Sequence, residues 1–178
     1  MSKMRWNCVA EILKDKNHRI GAEIGVWKGK FTYNILELLP NIEKLYCIDP
    51  WIMYEDYKNS LQSDTFIKAN YNNIFNVYKN QIKKYKKKIV TLKMMSEEAL
   101  KKIPDGHLDW VFIDANHSYE YAKQDIINWI PKVKSGGLVS GHDYGRDTHS
   151  DIGVTKAVDE LIEKVNKGYN GVWYIFKD

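Results

Sequence analysis

Two short stretches of this chain concentrate residues that bind protons and cations. One is Asp114-Ala115-Asn116-His117-Ser118-Tyr119-Glu120; the other is Gly141-His142-Asp143-Tyr144. Each follows an apolar run, residues 108–113 and 137–141. A carboxylate beside an imidazole suits general base chemistry, because histidine titrates near neutrality. Two carboxylates, Asp114 and Asp143, converging with one or two histidines also suit an oxygen-loving divalent cation such as magnesium. Zinc fits less well, since there is no compact His/Cys cluster. A hydrogen bond at a helix start is the plainer role for His117.

A third segment is a glycine turn, Glu23-Ile24-Gly25-Val26-Trp27-Lys28-Gly29. A strand that feeds a glycine turn and then a helix start offers free N–H groups to a nucleotide-like ligand. The spacing Glu-x-Gly-x-x-x-Gly differs from the Gly-x-Gly-x-x-Gly of dinucleotide sites. An acid beside the turn suits a ligand with a cationic amino group, which points away from NAD and toward S-adenosylmethionine. Asp49 closes the next apolar run, and an acid there can accept two ribose hydroxyls; its register with the glycine turn favours that reading over a plain turn-forming role. Met95 and Ser96 follow the third run, where an adenine could pack, although Ser96 also reads as a helix N-cap before Glu97 and Glu98.

These segments need elements that bring them together. Six strand-like runs, at 20–24, 44–48, 88–93, 108–113, 137–141 and 171–176, alternate with helical patterns at 30–39, 64–84, 96–102, 118–133 and 153–165, after a leading amphipathic helix at 5–16. The alternation predicts an α/β fold: a doubly wound, mostly parallel sheet of six to seven strands with helices on both faces. The site residues then gather on the carboxyl edge, where such sheets bind ligands. Two long connections, 50–63 and 143–152, lie on that edge as candidate lids. Their Trp51, Tyr54, Tyr57, Tyr144 and His149 suit stacking on a ring or packing the loops down.

The length of 178 residues fits a single domain, with residues 1–17 as a leading helix and 18–178 as the core. No run is long and apolar enough to span a membrane, and the start lacks a signal-peptide core. Cys8 and Cys47 read as buried hydrophobes in a reducing, cytoplasmic setting. The net charge of +4 owes much to residues 79–88, with Lys83, Lys84, Lys86, Lys87 and Lys88. No stacking aromatics accompany that run, so a solvated helix end is favoured over a nucleic-acid site.

Taken together, Glu23-Ile24-Gly25 with Gly29, Phe112 to Glu120, and Pro131 to Tyr144 resemble the class I S-adenosylmethionine-dependent methyltransferases, a Rossmann-like family. Within it the sequence is similar to the macrocin-type sugar O-methyltransferases. The resemblance implies that Glu23, Gly25 and Gly29 face the methionine half of the cofactor, that Asp49 holds the ribose, and that Met95 and Ser96 hold the adenine. It implies a magnesium-type site at Asp114, His142 and Asp143, with His142 where an acid is usual. The residues themselves suggest catalytic roles for Asp114, His117 and His142, either histidine serving as the base, with Asp114 also suited to bind the cofactor by orienting the methyl donor. The expected reaction is methyl transfer to a hydroxyl of a small molecule or sugar. An NAD oxidoreductase and a catalytically silent cofactor-binding scaffold are the competing readings. The short segment 166–170 leaves room for only a stub of a seventh strand. The lack of a substrate domain leaves a partner subunit as the means of completing the acceptor site.

Overall fold

The computed structural model describes residues 4–14, 16–55, 68–145 and 152–178. Its elements run α1 (Arg5–Leu13), β1 (Ile20–Ile24), α2 (Lys30–Leu38), β2 (Lys44–Ile48), α3 (Tyr71–Gln81), β3 (Ile89–Leu92), α4 (Ser96–Ala99), β4 (Leu108–Ile113), α5 (Tyr119–Trp129), β5 (Val133–Gly141), α6 (Ile152–Leu161), β6 (Asn166–Lys167) and β7 (Trp173–Phe176). The sheet order is β3-β2-β1-β4-β5-β7-β6. The first five strands pair in parallel, and β7 returns antiparallel to β5 and β6. The expected doubly wound sheet is present, and the extra strand, β6, is the two-residue stub that segment 166–170 allowed.

Strand β4 shows why the sheet carries helices on both faces. All six of its residues are buried, and successive side chains point to opposite faces. Trp110 and Phe112 join Phe31, Ile35 and Leu36 of α2, Val9 and Leu13 of α1, and Ile74 and Tyr78 of α3. Val111 and Ile113 join Ala122, Ile126 and Trp129 of α5 and Ala157 and Val158 of α6. The rings of Phe31 and Phe112 stack with centroids 4.0 Å apart. A strand covered on both sides reads as a continuous apolar run, as β4 does from Trp110 to Ile113.

The helix expected over 64–84 is described only as Tyr71–Gln81 and a short 3-10 turn, Lys83–Tyr85; residues 56–67 lie outside the described residues. Among the described residues no helix is long and apolar enough to cross a membrane.

Candidate active site

The carboxyl ends of β1, β2, β4 and β5 open on a cavity of about 300 Å³, within the range of small-molecule sites. Gly25, Val26 and Trp27 line it from the turn after β1, Asp49 from the end of β2, Asp114, Ala115 and His117 from the end of β4, and His142 and Asp143 from the end of β5. Of the residues singled out in sequence, Gly25, Asp49, Asp114, His117, His142 and Asp143 are therefore brought together.

Gly25 adopts φ +86, and a Cβ there would fall 2.2 Å from the Asp114 carbonyl oxygen. The turn thus needs glycine both for its backbone conformation and for close approach to the end of β4. Asp49 holds the turn from the other side. Its Oδ2 accepts the amides of Val26 at 2.9 Å and Trp27 at 2.8 Å, and its Oδ1 accepts the Trp51 amide at 2.6 Å. Burial raises the Asp49 carboxyl against the pull of these three N–H groups.

Three non-glycine residues bordering the site, Trp27 (φ 52), Trp51 (φ 48) and Asp143 (φ 61), occupy the left-handed region. Such conformations persist where surrounding contacts over-determine them, and they cluster at functional sites. Here the contacts are visible. The Trp51 indole, 2% exposed, donates to the Trp27 carbonyl at 2.8 Å and packs on Phe75 and Tyr78. Trp51 is therefore a buried pillar of the turn, not a ring-stacking lid residue.

The acids and histidines form one cluster. His142 Nδ1 lies 2.9 Å from Asp143 Oδ1 and 3.7 Å from Asp114 Oδ1. His117 Nε2 lies 3.1 Å from Asp143 Oδ2 and 3.7 Å from Asp114 Oδ1. Burial alone would raise Asp114, but His117, His142 and Arg5 hold its carboxyl well below the ordinary carboxylate range. Burial opposes charge on His142, yet the Asp114 and Asp143 carboxylates outweigh it and push its pKa up to about 9. At the start of α5, Asn116 Oδ1 accepts the Ser118 amide at 2.9 Å.

Among the described residues, Asp114, His117 and Asp143 form a group whose ligand atoms all lie within 4.8 Å of one another. The geometry thus offers His117 as the nitrogen donor, where the resemblance implied His142. The His142 ring is nearly inaccessible, 5% exposed, and its Nδ1 is engaged by Asp143.

Five other expected residues, Glu23, Gly29, Met95, Ser96 and Tyr144, sit away from the cavity lining. Glu23 lies beneath the turn, 1% exposed. Its carboxyl accepts the Thr32 hydroxyl at 2.5 Å, and burial pushes it well above the ordinary carboxylate range. Gly29 precedes α2 with φ +75, and a Cβ there would fall 2.8 Å from the Tyr78 ring, so both backbone and packing call for glycine. Met95 and Ser96 begin α4. The Ser96 hydroxyl donates to Asp125 at 2.5 Å and accepts the Trp129 indole N–H at 2.8 Å, which ties α4 to α5. Tyr144 donates to Asp159 at 2.6 Å and is not in the lining. Tyr57 and His149 lie outside the described residues.

The lining also contains residues that sequence reasoning passed over: Arg5, Ile52 and Tyr71, beside the expected Tyr54. Tyr71 opens α3 and meets Trp27 edge-on. Its one sequence signal is Asn70, the N-cap whose side chain accepts the Asn73 amide.

A glycine turn after β1, an acid closing β2 and a polar cluster after β4 and β5 define a nucleotide-like cofactor site of the methyltransferase type. Residues 22–144 match the methyltransferase-domain family, and the chain belongs to it; it is an S-adenosylmethionine-dependent methyltransferase domain. Solved structures agree in fold. A caffeoyl-CoA O-methyltransferase candidate from Staphylococcus aureus aligns with TM-score 0.70 and 15% identity, over 100% of this chain and 85% of that one. The O-methyltransferase NovP gives 0.67 and 17%, over 97% and 77%. An O-methyltransferase from Bacillus cereus, solved in complex with S-adenosylhomocysteine, gives 0.62 and 11%, over 99% and 82%. No curated protein matches the chain in sequence.

Proposed function

We propose that this chain, acting as one domain, transfers a methyl group from S-adenosylmethionine to a hydroxyl of a small molecule. The observation that carries this reading is the convergence of Asp114, His117, His142 and Asp143 on the cavity that the Gly25 turn and Asp49 line. The three neighbours above are described as O-methyltransferases, which favours an oxygen acceptor. The resemblance to macrocin-type enzymes favours a sugar among such acceptors. When bound, the cofactor supplies an electrophilic methyl group on a positively charged sulfur.

The donor set fits that cofactor. Asp49, Asp114 and Asp143 give the wall a negative lining for a ligand carrying two positive groups, and the Gly25 turn lets backbone approach it. Asp49 keeps the turn in place and stands where a ribose is expected. His117 takes the proton of the acceptor hydroxyl, and Asp143 orients its ring. His142 serves that step poorly as a base, because it is buried and its flanking carboxylates keep it protonated at neutral pH. Ile52, Tyr54, Tyr71 and Trp27 frame the space left for the acceptor, which favours a ring-shaped or partly apolar body.

A metal-assisted form of the same reaction is favoured by the triad Asp114, His117 and Asp143. These three residues would hold a divalent cation, which would lower the pKa of the acceptor hydroxyl. In that form His117 is a ligand and not the base.

A nucleic-acid acceptor is disfavoured by the place of the lysine run. Lys83 to Lys88 precede β3, at the amino edge of the sheet, and the cavity opens at the carboxyl edge. The test is incubation with methyl-labelled S-adenosylmethionine and a panel of sugars, catechols and simple phenols, with magnesium or with chelator. Label on an acceptor oxygen supports the reading; label on nitrogen or nucleic acid overturns it. Loss of transfer under chelator selects the metal-assisted form.

A further inference from the structure

The cofactor of this family carries, at its methionine end, a carboxylate beside an ammonium. The described cavity lining holds several carboxylates, yet one residue there is a permanent cation: Arg5, on α1. Guanidinium keeps its charge at any physiological pH and offers five donors in a planar fork.

The contacts of Arg5 leave that fork available. Its Nε lies 3.1 Å from Asp114 Oδ2, in the one ion pair it makes among the described residues. The Nε atom is buried and has no hydrogen-bond partner, so the approach to Asp114 is electrostatic without hydrogen-bond geometry. The side chain is 30% exposed and lines the cavity, with its guanidinium carbon 5.9 Å from the centre of the Trp6 ring. A fully satisfied structural arginine would instead grip a carboxylate through two parallel N–H bonds.

Charge complementarity supplies the rest. A guanidinium beside a carboxylate is the inverse of an amino acid's ammonium beside its carboxylate. Asp114 and Arg5 stand next to the Gly25 turn, whose backbone touches the end of β4. We propose that Arg5 binds the α-carboxylate of the cofactor's amino-acid end, which makes α1 part of the cofactor site. The assignment rests on the S-adenosylmethionine reading above.

Calorimetric titration with two probes tests it: S-adenosylhomocysteine and its decarboxylated analogue, which keeps the amine and lacks the carboxylate. The wild-type protein should bind the first about 10- to 100-fold more tightly, the size of a charge-assisted, two-pronged hydrogen bond. Arg5→Gln should lose that margin by weakening S-adenosylhomocysteine alone. Arg5→Lys, which keeps the charge without the fork, should lose about 3- to 10-fold on the same ligand only, and carries the comparison if the glutamine variant does not fold. Equal weakening of both probes, or no weakening of either, overturns the role of Arg5 while leaving the cofactor reading intact. Failure of the wild-type protein to bind either probe overturns the cofactor reading and this assignment with it.

Discussion

Strand β4 carries an acid at each end, and the two live in different worlds. Asp109, its second residue, accepts the backbone amides of Arg19 at 2.8 Å and Ile20 at 2.7 Å, and the Lys134 ammonium at 2.7 Å. Burial opposes its charge, but Lys134 and the two amides outweigh that and hold its carboxyl low. Those partners belong to the entry of β1 and the start of β5, so Asp109 staples neighbouring strands at the amino edge. Asp114, five positions on, lies within 3.1 to 3.7 Å of Arg5, His117 and His142 at the edge of the cavity. Its partners are side chains that can exchange protons or turn to a ligand. One residue type on one strand thus serves stability at one edge and chemistry at the other. In a parallel sheet the edge decides which.

The largest effect expected from breaking this contrast is at Asp114. Asp114→Ala should lower turnover by about 10³-fold, with S-adenosylhomocysteine affinity changed by less than about tenfold. Steady-state kinetics beside calorimetry checks this, and near-normal turnover would remove Asp114 from the chemistry.

Asp125 sharpens the contrast because, among the described residues, its carboxyl has one hydrogen-bond partner, the Ser96 hydroxyl, and neither a backbone amide nor a cation offsets its burial. Burial raises its pKa to about 7, against one hydrogen bond from Ser96. An unfolded aspartate loses its proton near pH 3.9. Between these values the folded chain holds a proton that the unfolded chain lacks, so stability falls as pH rises. The asparagine variant lacks this titration. Asp125→Asn should gain about 3 kcal/mol of stability relative to the wild type as pH rises from 5 to 8. Urea unfolding across that range checks it, and identical pH slopes would contradict it.

Asp109→Ala comes next. It should destabilise the fold by about 2 kcal/mol through its orphaned amides, and leave turnover per folded molecule unchanged. A melting curve beside an activity assay separates the two. The smallest effect belongs to Asp49→Asn. Its amide retains one acceptor oxygen for the turn, and S-adenosylhomocysteine affinity should fall about tenfold. Unaltered affinity would show that the Gly25 turn does not depend on Asp49.

The elements of the sheet were readable in the sequence because their physics is local. The apolar run 108–113 needs both faces covered, and β4 has the same bounds. Gly25, Asp49, Asp114, His117, His142 and Asp143 could be grouped for the same reason. Each follows a strand, and parallel strands bring their ends together. The rest depended on partners distant in sequence. Ser96 looks like a cap or an adenine contact until Asp125 and Trp129 claim its hydroxyl. Trp51 looks like a lid aromatic until its indole is seen under the turn. Glu23 beside the turn says nothing of Thr32, which draws its carboxyl beneath it. Arg5 lies on an ordinary amphipathic helix, and its approach to Asp114 arises from how α1 docks on the sheet. No local pattern encodes such contacts.

The central claim is that the carboxyl edge of this sheet is a cofactor site. Titration of the purified, folded protein with S-adenosylhomocysteine, with magnesium and with chelator, tests it most directly. The account predicts binding in the micromolar range, corresponding to about 8 kcal/mol. Absence of binding under both conditions would contradict it.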